Sequence, residues 1–394
     1  MTYKNKCKTL INITILSITI VLSNICNLFV SNNIVNANNL KEETYTVPPF
    51  PFKAVTGDFN KDSHKDIAVV SKYSGITVFL NNGKGKFSET ISLVTHWQPV
   101  SITKGDFNKD NLIDIISMTE TLIGPVYITN KDSAFEKIDL KIQGHPFAFY
   151  IEAVDLNNDG YDDLVTSGVG GEGLYIFINK GNLTFEKIII KLRETNHVYK
   201  FNKKGDTEFI SHHPYIIDID NDGWKDILVP DEINGSLWLL KNNKGKLVPN
   251  EIYHEDLKTI KSVTSAKIKN ELTLIVAIDE NNKSELLFLQ NRKSKFEIIK
   301  RLTFPQKIEY LDTSDMNNDR NEEIIILSLK LNNSYVSIYN IESESINISK
   351  IFEYPLKGTQ SFSIDDLDEE GYKDLIIPDT ADNTLRIIYN PLKR

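Results

Sequence analysis

The chain has 394 residues and a formal net charge of −9, from 45 basic and 54 acidic side chains. So acidic a surface repels polyphosphate, which argues against nucleic acid as a partner. Both cysteines, Cys7 and Cys26, lie near the N-terminus, so no disulfide framework staples the remainder.

Lys4, Lys6 and Lys8 precede an apolar run from Leu10 to about Leu22, and polar residues follow as far as Val35-Asn36-Ala37. A charged start, an apolar middle and a small residue at the cut are the order of a secretory signal. Residues 1–37 are therefore expected to be a signal peptide, and residues 38–394 a mature chain that is secreted or held at the cell surface. The alternative is an uncleaved anchor, because apolar residues continue to Val30, although Thr14, Ser17, Thr19, Asn24 and Asn27 interrupt them. Cys26 lacks the small residue directly before it that lipidation requires. No stretch of the mature chain is long and apolar enough to span a membrane.

Six acidic stretches, each followed by an apolar run, punctuate the mature chain. They read GDFNKDSHKDI from Gly57, GDFNKDNLIDI from Gly105, VDLNNDGYDDL from Val154, IDIDNDGWKDI from Ile217, SDMNNDRNEEI from Ser314 and DDLDEEGYKDL from Asp365. Their first acids, Asp58, Asp106, Asp155, Asp218, Asp315 and Asp366, are 48, 49, 63, 97 and 51 residues apart. The longest gap is two periods: near Lys267 the run AKIKNELTLIVAIDENNKSELLFLQNRKSKFEIIK keeps the strand order but lacks the acids. The gap of 63 reflects an insertion of roughly 14 residues within Lys187 to His212, a projecting loop.

Each repeat carries four short runs rich in β-branched and aromatic residues, separated by Gly and Asn turns, with no sustained helical period. In the first they follow one another as Ala54 to Gly57, IAVVS, ITVFLN and FSETISLV. Seven such units predict an all-β fold, a seven-bladed β-propeller with four-stranded blades. The last repeat stops at Arg394 without a fourth strand. Glu43 to Val47, which parallels the stretch from Ser88 to Val94, is expected to supply it, closing the ring and covering a sheet edge.

Counted from the first acid, the loops place oxygen-bearing side chains at positions 1, 3, 5 and 9. These are Asp58, Asn60, Asp62 and Asp66; Asp106, Asn108, Asp110 and Asp114; Asp155, Asn157, Asp159 and Asp163; Asp218, Asp220, Asp222 and Asp226; Asp315, Asn317, Asp319 and Glu323; and Asp366, Asp368, Glu370 and Asp374. A cation the size of calcium takes six to eight oxygens, and a tight loop of this spacing supplies them, so up to six Ca²⁺ ions are expected. Gly160, Gly223 and Gly371 at position 6 permit the bend, and on that ground the third, fourth and seventh loops rank highest. For one loop, simple turn chemistry explains Asp, Asn and Gly as well. Six copies in phase, with an acid at position 9 each time, favour the metal. No His or Cys cluster suggests zinc.

At these residues the chain resembles the FG-GAP and VCBS repeat families, whose blades are similar to those of the integrin α-subunit propeller. The resemblance covers about Glu43 to Asn390 and is most specific in the DFNxD...D core and in NxGxGxF, here Asn81 to Phe87. It implies metal loops on the lower face and ligands on the opposite, upper face. The fifth repeat has lost its acids and receives no metal.

On the upper face the resemblance places His96-Trp97, His145 and His212-His213, each just before a proline at the start of a blade. Tyr73, Glu120, Glu172, Asp231, Glu232, Asp379 and Asp382 fall in loops between second and third strands. These residues could bind a sugar or peptide, or pack between blades. Gly168 to Gly173 matches GxGxxG, but a strand follows where dinucleotide binding needs a helix. No GxSxG is present, and His254-Glu255 lacks the second histidine of a zinc-protease helix. The expected function is non-enzymatic: a secreted calcium-binding module for a glycan or protein on the face opposite the metal loops, with no catalytic residue assigned. The alternatives are a polysaccharide lyase or hydrolase using His213 or His145 as base, and a scaffold without a ligand.

Overall fold

A computed structural model describes residues 40–393, apart from 97, 130–134, 141, 144–147, 169–172, 193–212, 232–234, 256–257, 281–282, 294 and 331–332. The leader and most of the insertion before blade 4 therefore lie outside the described residues. Seven antiparallel sheets follow one another around a ring, with no helix among the described residues. The innermost strands are Pro51–Gly57, Pro99–Gly105, Ala148–Val154, Tyr215–Ile217, Thr259–Ile268, Lys307–Ser314 and Ser363–Asp365. Each starts a blade whose strands pair in sequence order, except that the outermost strand of the seventh comes from the N-terminus. The outer edge of blade 2 is divided, with Phe135–Ile138 and Ile142–Gln143 both paired to Leu122–Thr129.

The second strands read as unbroken apolar runs because both their faces are covered. Every residue of Asp66–Ser71, Asp114–Thr119 and Asp374–Asp379 is buried. The outer strand Phe87–Leu93, which borders solvent, is mostly exposed. Seven apolar clusters result, one at each seam between neighbouring blades. Position 2 of the acidic loops helps to fill them: Phe59 sits in the seam of blades 1 and 2, Phe107 in that of 2 and 3, and Leu156 in that of 3 and 4. Burying such side chains contributes roughly 1.5–3 kcal/mol each.

The ring closes as the sequence predicts. Lys41–Thr46 pairs antiparallel with Thr384–Tyr389, from Lys41 opposite Tyr389 to Thr46 opposite Thr384. Arg386 binds Glu42, and the Tyr389 hydroxyl donates to the Gly85 carbonyl of blade 1. Gly85 cannot be larger, since a Cβ there would lie 2.7 Å from the Tyr389 ring at a φ of +67°. Blade 5 replaces the acidic loop by a two-residue hairpin turn, Lys269-Asn270, with φ of 54° and 64°.

Candidate functional site

All six acidic loops join the first strand of a blade to its second and share one hydrogen-bond design. The position 1 carboxylate accepts from the backbone N–H of position 6, at 2.9 Å in Asp58–Ser63, 2.8 Å in Asp155–Gly160 and 2.8 Å in Asp315–Arg320. Position 6 is left-handed whether or not it is glycine, with φ of 73° at Ser63, 63° at Asn111 and 72° at Arg320. Position 4 is left-handed too, from Lys61 at 62° to Glu369 at 58°. Two reversals in three residues turn the side chains of positions 1, 3 and 5 to one side.

Position 9 has a role that the sequence does not announce. In all six loops its side chain accepts from the N–H of position 2, as in Asp66–Phe59 at 2.9 Å and Glu323–Met316 at 2.9 Å. In five of them the second oxygen accepts from the third strand, at Asn81, Thr129, Asn179, Asn242 and Asn390. Three of those asparagines pass the link to the preceding loop: Asn81 Nδ2 donates to Leu367 O at 2.7 Å, Asn179 to Phe107 O at 2.9 Å and Asn242 to Leu156 O at 2.8 Å. The position 9 acid is thus a clasp between loop, sheet and neighbouring blade. Burial pushes these acids up, to about 6 for Asp66 and about 7 for Asp114, Asp163, Glu323 and Asp374. The neighbouring loop acids add to the rise and the backbone N–H groups oppose it.

Among the described residues, carboxylates converge most tightly in two loops: Asp218, Asp220 and Asp222, and Asp366, Asp368 and Asp374 have oxygens within 4.8 Å of one another. In the fourth loop Lys241 reaches in, with Nζ 2.6 Å from Asp220 and 3.3 Å from Asp222. In the seventh, Asp366 Oδ1 and Asp368 Oδ1 are buried without a hydrogen-bond partner among the described residues. Both arrangements leave negative charge converging on a point that a cation would satisfy. In the first three loops the position 3 amide donates instead to position 5, through Asn60–Asp62 at 2.9 Å, Asn108–Asp110 at 3.0 Å and Asn157–Asp159 at 3.0 Å. In the sixth, Asn317 donates to Glu323 at 2.9 Å.

The channel opens on the opposite face into a mouth of about 370 Å³ to which all seven blades contribute. At its centre Glu152 Oε1 lies 2.5 Å from Lys53 Nζ and 2.6 Å from His213 Nε2. Burial works to raise the Glu152 pKa, but Lys53 and His213 outweigh it and hold the carboxyl below its usual range. His213 Nδ1 is 3.1 Å from the Pro214 carbonyl oxygen. Tyr150 and Tyr310 meet the imidazole edge-on at 5.4 and 5.9 Å, and Phe362 packs on Tyr310 at 5.1 Å. A further cavity of about 200 Å³ continues below, lined by Glu152, Tyr215 and Asp312. Burial raises Asp312 to about 6.

Of the upper-face residues proposed from sequence, His213 and Glu120 line the mouth. His96 does not: it faces Asp139 beyond the outer strand of blade 2, at 3.9 Å. Tyr73 is exposed and does not line the mouth, standing edge-on to Phe50 at 5.3 Å. Asp231 and Asp379 are fully buried at strand ends, where Asp379 accepts from Ala381 N, and Asp382 pairs with Lys357. Trp97, His145, His212, Glu172 and Glu232 lie outside the described residues.

Lys53, Glu152, Tyr150 and Tyr310 were missed, yet a positional signal existed. Lys53, Ser101, Tyr150, His213, Tyr310 and Ser361 each stand five residues before the first acid of their loop, and all six line the mouth. Two residues on, at the same phase of the strand, come Glu152, Tyr215 and Asp312 of the lower cavity.

Residues 58–117 match the family described as FG-GAP-like repeat. The chain is a seven-bladed β-propeller that carries an FG-GAP-like repeat at those residues. No curated protein matches its sequence. Solved structures similar to this propeller include BBS1N in complex with ARL6DN, with a TM-score of 0.57 and 13% identity over 90% of this chain and 97% of that one. An Agrocybe aegerita lectin that recognises non-reducing terminal N-acetylglucosamine gives 0.50 and 16%, over 81% and 83%. An ancestral GH74 enzyme gives 0.51 and 11%, over 86% of this chain and 45% of that one. At these identities the likeness establishes the fold alone.

Proposed function

We propose that this propeller is a secreted, calcium-stabilised, non-enzymatic module that binds a glycan at the mouth of its upper face. The observation that carries the reading is the mouth itself. Unlike side chains from seven blades converge there on one cavity with tyrosine and phenylalanine walls and a polar floor, the composition of a small-ligand site. Its volume suits one or two sugar rings better than a folded partner's surface. Two propellers of similar fold are named for a sugar ligand and a protein complex, and a protein ligand is the other possibility for this face.

His213 beside Glu152 is the one observation favouring an enzyme. A general base needs a lone pair turned toward the substrate. Here both ring nitrogens face acceptors, and the carboxylate is held between Lys53 and His213. The arrangement suits a fixed charge cluster for binding.

On this reading calcium occupies the lower loops. Asp218, Asp220 and Asp222 would hold it in the fourth and Asp366, Asp368 and Asp374 in the seventh, with Lys241 displaced from the fourth. The other four loops would turn their position 3 amides to present Oδ1. The ions would stabilise the folded ring by mass action, and extracellular calcium suffices for sites with dissociation constants of roughly 10⁻⁴ to 10⁻³ M. A glycan array probed with the mature chain, with and without calcium, tests the proposal. Binding that a Tyr150→Ala, Tyr310→Ala double variant loses is expected, and absence of binding to any glycan would sink it.

A further inference from the structure

Building on the glycan-binding reading, we infer that the mouth selects an acidic sugar, holding its carboxylate with Lys53 and His213 and its ring against Tyr150 and Tyr310. The charge distribution points there. In a chain of formal charge −9, the mouth wall gathers Lys53, Lys72, Lys261 and His213 against Glu120 and Glu309. At its centre a single carboxylate, Glu152, is shared by Lys53 and His213 at 2.5 and 2.6 Å. Two donors thus converge on one point in a partly dehydrated place, where charge pairing is stronger than in water. An incoming carboxylate would share the Lys53 ammonium and the His213 ring with Glu152.

Access and shape agree with this. The Lys53 and His213 side chains keep 18% and 24% of their surface open, so both remain reachable from the channel. The tyrosine rings beside His213 offer apolar faces to the C–H side of a pyranose, and Phe149, 40% exposed, extends that wall. Ser101 supplies a second indication of a ligand. Its residue is fully buried in the mouth wall, and its hydroxyl has no hydrogen-bond partner among the described residues. Such a group costs stability unless something outside the fold satisfies it. A sugar hydroxyl or carboxylate is of the right kind.

The test is calorimetric titration of the mature, calcium-loaded chain with glucuronate, glucose and a short peptide with a free C-terminal carboxylate, alongside an array of acidic and neutral glycans. Glucuronate is expected to bind about tenfold or more tightly than glucose, the factor one charge-assisted contact carries. Lys53→Met should remove that preference and melt somewhat below the parent, because Glu152 loses a partner, while Lys53→Arg should keep part of the preference and melt near the parent. Equal binding of the neutral sugar, or of neutral glycans on the array, would overturn the acidic assignment and leave the glycan-binding reading standing. Peptide binding tighter than glucuronate would overturn the sugar assignment. Silence from every glycan would overturn both.

Discussion

Replacing Asp163 by alanine separates the two roles that position 9 could have. Asp163 is fully buried and accepts from Leu156 N at 2.9 Å and Asn179 N at 2.7 Å, which joins loop, third strand and seam. Truncation orphans two buried N–H groups at roughly 1–3 kcal/mol each, about 4 kcal/mol together. For a chain of this size that is a fall in Tm of about 5 °C. The loss is expected in calcium and in chelator alike, because the clasp does not need the ion. Asp159→Ala at position 5 is the control. Its side chain is exposed and accepts locally from Tyr161 N at 2.9 Å, so the variant should melt with the parent in chelator and below it only in calcium. Thermal unfolding of both proteins with millimolar calcium or excess chelator decides the matter. The reasoning fails if Asp163→Ala matches the parent in chelator, or if the Asp159→Ala deficit is the same in both buffers.

Chelating calcium from the parent should lower its Tm by many degrees, and Asp222→Ala should bind one ion fewer by calorimetry while still folding. Asn242→Ala, which removes the links to Leu156 O and Lys225 O from a fully buried site, should destabilise by about 2–4 kcal/mol in denaturant titration, with calcium stoichiometry unchanged. The depressed Glu152 pKa gives stability that is fully present above the ordinary glutamate value of 4.5 and is lost as pH falls through the folded value of about 2. The stability gap between the parent and Glu152→Gln should therefore be wide at pH 6, narrow steadily below pH 4.5 and close only near pH 2; a gap independent of pH would refute the pairing.

The ring and its lower face were legible because their chemistry repeats. Asp at position 1, the Asn-Gly turns and the apolar runs recur at a fixed period, and the loss of acids near Lys267 marks the blade whose turn shrinks to Lys269-Asn270. The strand from Lys41 could be assigned because one outer strand was missing at the far end. Position 9 was harder. Its acid was read as a demand of the metal alone, whereas the fold asks for an acceptor there to satisfy two buried amides. The mouth was nearly illegible, since Lys53, Ser101, Tyr150, His213, Tyr310 and Ser361 share no chemistry, only a place five residues before an acid.

That contrast has a physical cause, and it leads to a test. Closing a ring needs seven seams of similar geometry, which favours the same residues at each one. Recognition needs unlike groups brought to one axis, which favours different residues at the same position. The bridge from Lys53 in blade 1 to Glu152 in blade 3 spans blade 2, whose residue at that level is the small Ser101. A phenylalanine there would fill the route that the lysine takes and crowd the mouth, leaving the lower loops untouched. Ser101→Phe is therefore expected to abolish ligand binding while keeping the full calcium-dependent rise in Tm. Retained binding would mean that the charge cluster is not where the ligand sits. A lost calcium effect would mean that the two faces are coupled through the inner strands, against the independence argued from their chemistry.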